Sequence, residues 1–216
     1  MALAAYTSIG ESFYWETEIK RSRFIAAVSG ITSAEEGEAF LEACRKTYRD
    51  ATHYCYAYRI GREPVREKSS DDGEPAGTAG HPMLFVLQRE ALTDVIAVVI
   101  RYFAGIKLGA GGLARAYGGT LAEALKAAPL LHYVPYIRLR LRMAYDSLGG
   151  FENFIRDRDI HIERRIFDEA VTLEVLVLPS EKESLLRAVA DMTGGRAEAE
   201  DMGEEYVARP LTRDIL

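Results

Sequence analysis

The chain has 216 residues, 48% hydrophobic and 28% charged, with a formal net charge of −6 at pH 7; this describes a folded protein, and with neither half basic it argues against a strongly cationic nucleic-acid binder. Cys44 and Cys55 show no CxxC spacing and give little support to a disulfide framework or a four-ligand zinc site. The opening MALAAYTSIGES lacks the charged and apolar regions of a secretory signal, and the aliphatic run Val95–Ile100 is too short to span a bilayer, so a cytoplasmic protein without a membrane partner is expected.

In chain order, residues 12–30 read as two strands, around Glu18–Lys20 and Phe24–Val28, that form a hairpin. Ser33 with Glu36 three residues on marks a helix running through Tyr48. Tyr54, Tyr56, Tyr58 and Ile60 then alternate with His53, Cys55, Ala57 and Arg59, the period of a strand with two different faces. The polar stretch Gly61–His81 reads as one long loop. Met83–Arg89 predicts a short helix, Val95–Phe103 a buried strand, and Leu113–Ala127 a helix ended by Pro129. Pro129–Pro135 reads as a linker between domains at 1–134 and 135–216.

Beyond it, Ile137, Leu139, Leu141, Met143 and Tyr145 alternate with Arg138, Arg140 and Arg142 as a strand with one solvated face. Asp146 is expected to cap a helix over 148–158, and Ile160–Phe167 and Val171–Leu178 read as strands joined at Asp168-Glu169. Ser180 with Glu183 predicts a capping box, Gly194-Gly195 a helix end, and Ala197–Met202 a last strand. The order βαββαβ is that of a ferredoxin-like domain with both helices on one sheet face, placing the chain in the α+β class.

Two loops hold the residues that could carry chemistry. Residues 69–82 combine Asp71, Asp72, Glu74, Thr78 and His81 with three glycines. Such a loop either fixes its own turns or offers carboxylates to a hard cation, magnesium held through a phosphate being the candidate, since Lys68 breaks the calcium-loop template. The second is the strand-to-helix passage around Gly105, Lys107, Gly109, Gly111, Gly112 and Arg115, preceded by Arg101. Helix N-termini favour anions and glycines let them approach the backbone, so this is a candidate phosphate site, with close helix-on-sheet packing as the alternative reason for its glycines. It is not a P-loop, because Ala110 takes the place of the second glycine; Gly109, Gly111 and Ala114 match the dinucleotide fingerprint, but the acid expected about 20 residues on is missing. His53 and Cys55 share a strand face, yet no third group orients them, and a structural role is expected.

Four stretches resemble the Impact family: Glu18–Ile25; Asp50–His53; Asp71–Gly80 with Pro82–Leu84; and Val99–Leu113 with Arg115–Gly118. The departure is Ala104, where the family pattern has a second glycine. The resemblance implies an N-terminal domain like ribosomal protein S5 domain 2 and a ferredoxin-like C-terminal domain similar to one in elongation factor G. It also implies kinship with eukaryotic proteins that regulate translation by hindering activation of an initiation-factor kinase through an additional RWD domain, for which this sequence has no room.

The leading expectation is a non-enzymatic RNA- or ribosome-associated factor in regulation of translation, with the glycine-rich turn on phosphate and Arg138, Arg140 and Arg142 assisting on the sheet face. The alternative is an enzyme or sensor for a small phosphorylated ligand at the glycine-rich turn.

Overall fold

The computed structural model describes residues 4–211, and its chain begins with a short strand, β1 (Tyr6–Ile9), followed by a hairpin of β2 (Phe13–Ile19) and β3 (Ser22–Gly30). Lys20 and Arg21 make the two-residue turn at φ 46° and 64°, the left-handed pair that matches strand twist although neither is glycine. Helix α1 (Ala34–Thr47) starts as expected: Ser33 accepts from the Glu36 N–H at 3.2 Å, and the Glu36 carboxylate accepts from the Thr32 N–H at 2.6 Å. β4 (His53–Ile60), β5 (Arg66–Ser70), α2 (Gly80–Arg89), β6 (Val95–Tyr102) and α3 (Ala110–Ala127) complete the first unit. β5 lies inside the expected loop; as a polar edge strand it has no alternation to betray it.

The sheet order is β2-β3-β6-β4-β5, antiparallel throughout. Central β6 is buried from Val95 through Arg101 because both faces are covered, which explains its unbroken apolar run. Beneath α1 lie Ile25, Ala27, Ile96, Val98 and Ile100; beneath α2 and α3 lie Phe24, Ala26, Cys55, Ala97 and Val99.

The remaining elements are β7 (Leu130–Met143), α4 (Tyr145–Ile155), β8 (Ile160–Phe167), β9 (Val171–Val177), α5 (Lys182–Thr193) and β10 (Glu198–Pro210). They give the expected βαββαβ order with neighbours β10-β7-β9-β8, and α4 and α5 bury Phe151, Leu185 and Val189 against Leu139, Leu141, Leu173 and Val175. Among the described residues the chain divides into one unit of Tyr6–His132 with residues 209–211 and another of Tyr133–Ala208 with Ala4 and Ala5. The expected linker is strand from Leu130 onward. Asp146 lies in the first turn of α4 rather than capping it, and the Ser180/Glu183 box does not form: the Glu181 N–H donates to Leu178 O, and the helix starts after that turn. No helix among the described residues is long and apolar enough to cross a membrane.

Candidate functional site

Strand register places Phe24, Arg101 and His53 in one row across β3, β6 and β4, on the face covered by α2 and α3. A charged side chain is stable there only if paired. Arg101, with a side chain 4% exposed, donates from Nη1 to Glu74 Oε1 at 2.6 Å, and Glu74 is equally buried. The same oxygen accepts from the Tyr117 hydroxyl at 2.7 Å, and Arg101 Nη2 lies 3.4 Å from Ser22 Oγ. The guanidinium sits between the rings of Phe24 and Phe103 at 5.3 and 5.1 Å, and Tyr117 meets Phe24 edge-on at 5.3 Å. Its Nε is buried without an acceptor. His53 Nδ1 is 2.8 Å from the Asp72 carbonyl oxygen, and its Nε2 is 3.8 Å from Glu74 Oε1.

The acidic loop that brings Glu74 inward is held by its aspartates. Asp71 Oδ1 accepts from the N–H groups of Ala79 and Gly80, and Oδ2 from that of Gly77, so this carboxylate terminates α2. Asp72 Oδ2 accepts from the Tyr54 N–H at 2.6 Å, Thr78 donates to Pro75 O, and exposed His81 lies in the first turn of α2. Among the described residues no cluster of three His, Cys, Asp or Glu is arranged to hold a metal ion. Burial raises the Asp71 pKa, but the three N–H donors outweigh it and the net shift is below the ordinary 3.8. A depressed carboxylate pKa contributes stability above the unfolded value and loses it as pH falls through the folded one. Asp71→Asn is therefore expected to lower unfolding free energy by about 1–3 kcal/mol at pH 7. In urea titrations that gap should shrink below about pH 3.8; a gap unchanged into acid would contradict the assignment.

Between this row and the glycine-rich segment lies a cavity of about 370 Å³. Thr52, His53, Arg101 and Phe103 form its sheet side, Glu74 and Pro75 come from the acidic loop, and Lys107, Leu108, Gly109, Ala110 and Leu113 from the segment that opens α3. Gly105 and Gly109 hold φ of 84° and 72° with open space where a Cβ would stand, so backbone conformation rather than crowding calls for glycine. Gly109 is the N-cap of α3, no acid lies in the first turn, and Gly111 and Gly112 fall within that turn. Gly118 faces Pro82 and Val86 of α2 and serves packing. Exposed Arg115 does not line the cavity.

The structure thus joins the two loops singled out in the sequence through Glu74, Arg101, Lys107 and Gly109, and leaves Arg115, Thr78 and His81 off the cavity wall. Reading the sequence missed Phe24, Tyr117 and Phe103. A usable signal was Arg101 itself, a charge at the end of an apolar strand, which implies a buried acid partner. Cys55 donates to Asp71 O at 2.9 Å, and burial pushes its thiol up to about 12, which removes it as a nucleophile at neutral pH.

On the second sheet, Arg138 pairs with Glu205 at 2.9 Å and lies 3.8 Å from Glu174, while Arg140 pairs with Glu200 at 3.0 Å and Glu174 at 3.3 Å. Exposed Arg142 lines a shallow depression beside Glu198 and Glu200. The arginine row is interleaved with acids from β9 and β10.

Residues 20–125 match the Impact N-terminal domain, and residues 141–196 match a second family, described as a domain of unknown function (DUF1949). The chain is 36% identical to the IMPACT family member YvyE of Bacillus subtilis over 209 residues, covering 97% of this chain and 96% of that one. It is also 36% identical, over 93 residues, to the Protein IMPACT homolog of Saccharomyces cerevisiae, covering 41% of this chain and 35% of that protein. Among solved structures, the crystal structure of a hypothetical protein superposes with a TM-score of 0.59 at 32% identity, covering 93% of this chain and 98% of the other.

Proposed function

Because this chain belongs to the Impact family, we propose that it acts in the regulation of translation, as the resemblance implies for eukaryotic relatives, and that it does so by holding a small phosphorylated ligand in the cavity beside Gly109. The observation that carries this reading is the cavity itself. At about 370 Å³ it has the size of a small-molecule site, with Leu108, Leu113 and Phe103 as apolar wall and Lys107 with the first N–H groups of α3 as anion partners. RNA laid along Arg138, Arg140 and Arg142 fits less well, since phosphate would have to displace Glu174, Glu200 and Glu205 from two of those arginines.

Thermal shift against a panel of phosphate esters tests the proposal. A ligand at a hundredfold excess over its Kd stabilises the folded state by about 2.7 kcal/mol. Lys107→Ala should weaken binding by roughly tenfold, about the loss of one charge-assisted contact, whereas Arg115→Ala should bind as the parent does. Equal loss from both variants, or a panel without any shift, would oppose the reading. Sedimentation with RNA or ribosomes that survives Lys107→Ala but fails when Arg138 and Arg140 are replaced would favour the sheet face instead.

A further inference from the structure

Resting on the cavity as a ligand site, we propose that its ligand is a hydroxylated phosphate ester of about sugar-phosphate size, with a ligand hydroxyl donating to His53 Nε2. The tautomer is the starting point. His53 Nδ1 lies 2.8 Å from the carbonyl oxygen of Asp72, which can only accept, so Nδ1 carries the hydrogen and the uncharged form of the ring presents a lone pair at Nε2. The ring is held there by the acidic loop, where a Cβ added to Gly73 would stand 3.5 Å from Nδ1. Nε2 is 3.8 Å from Glu74 Oε1, an acceptor already taken by Arg101 at 2.6 Å and Tyr117 at 2.7 Å.

With the Arg101 charge on this side neutralised by Glu74 and its Nε buried, the Nε2 lone pair is the group left to meet a ligand, and it attracts a donor. Phosphate belongs at the segment that opens α3, where Lys107 and the helix N-terminus at Gly109 and Ala110 supply positive charge and N–H donors. Phe103 from the sheet side and Leu108 from the segment that opens α3 offer apolar surface to a carbon skeleton. The site therefore offers two kinds of partner, anion partners at the helix start and a hydroxyl acceptor at His53. A plain alkyl phosphate meets only half of it.

Isothermal titration with glucose 6-phosphate, glycerol 3-phosphate, propyl phosphate and inorganic phosphate reads this directly. The parent protein should bind the hydroxylated esters about tenfold more tightly than propyl phosphate, one hydrogen bond to a fixed acceptor. In His53→Asn the amide takes over the bond to the Asp72 carbonyl and nothing accepts at the Nε2 position. That preference should then fall below about threefold with inorganic phosphate binding unchanged. His53→Gln, whose amide oxygen reaches the Nε2 position, should restore part of the preference, which a purely structural histidine would not do. A parent that binds propyl phosphate and the hydroxylated esters equally, or a His53→Asn variant that keeps the full preference, overturns this inference and leaves the cavity reading standing. If none of the four probes binds the parent, the cavity reading falls and this inference with it.

Discussion

Glu74→Ala is expected to destabilise the first unit by about 3–5 kcal/mol, because it leaves the Arg101 guanidinium buried without its counter-charge. The Tyr117 hydroxyl loses its carboxylate acceptor at the same time and is left with Cys55 Sγ, a weak acceptor. In a unit of this size the melting temperature should fall by roughly 10–20 °C. Exchanging both partners for apolar residues, Glu74→Leu with Arg101→Met, removes the uncompensated charge as well as the attraction, so the double variant should regain most of that loss. Thermal melts of the single and double variants decide the matter. A double variant that is no more stable than Glu74→Ala would mean that the charge pair is not what the single substitution breaks.

Phe24→Ala should cost a similar amount, about 3–5 kcal/mol, by opening a cavity at a fully buried position on β3. Phe24 supports the site from below: its ring carries Arg101 on one side and takes the edge of Tyr117 on another. Phe24→Leu keeps most of the apolar volume and should lose little more than the ring interactions, about 0.5–1.5 kcal/mol. Because Phe24, Arg101, Tyr117 and Glu74 form one contact network, the effects of Phe24→Ala and Glu74→Ala should fall short of their sum by about 0.5 kcal/mol or more. Urea unfolding of the two single variants and the double variant measures this, and strict additivity would contradict a shared network.

Much of the fold was legible in the sequence because periodicity carries it. The alternation from Ile137 to Met143, the run Val95–Arg101 and the Ser33/Glu36 start of α1 each announce their element through burial or capping that the structure then displays. β1 and β5 escaped for the opposite reason: one is four residues long, and the other is a polar edge strand whose sequence Arg-Glu-Lys-Ser-Ser has no buried face. The Ser180/Glu183 signature misled, since Leu178 O captures the Glu181 N–H in a turn before the helix begins.

The site was legible in parts. Glycines at 105 and 109 were recognisable as a turn into a helix, and their positive φ values fit that reading. What the sequence could not display is the lateral register that sets Phe24, Arg101 and His53 side by side across three strands separated by dozens of residues. Nor could it assign the three acids of residues 71–74 to separate tasks. Asp71 and Asp72 bind backbone N–H groups, and Glu74 alone turns inward to the arginine.

The proposed role of the cavity is tested most directly by amide chemical-shift mapping of the whole chain during two titrations, one with glucose 6-phosphate and one with a short single-stranded RNA. The account predicts that glucose 6-phosphate shifts the amides of Thr52, His53, Phe103 and Lys107–Ala110, the residues lining the cavity, and that RNA leaves the Arg138–Arg142 face undisturbed. Saturable RNA shifts on that face, with the cavity amides silent to the phosphate ester, would contradict it.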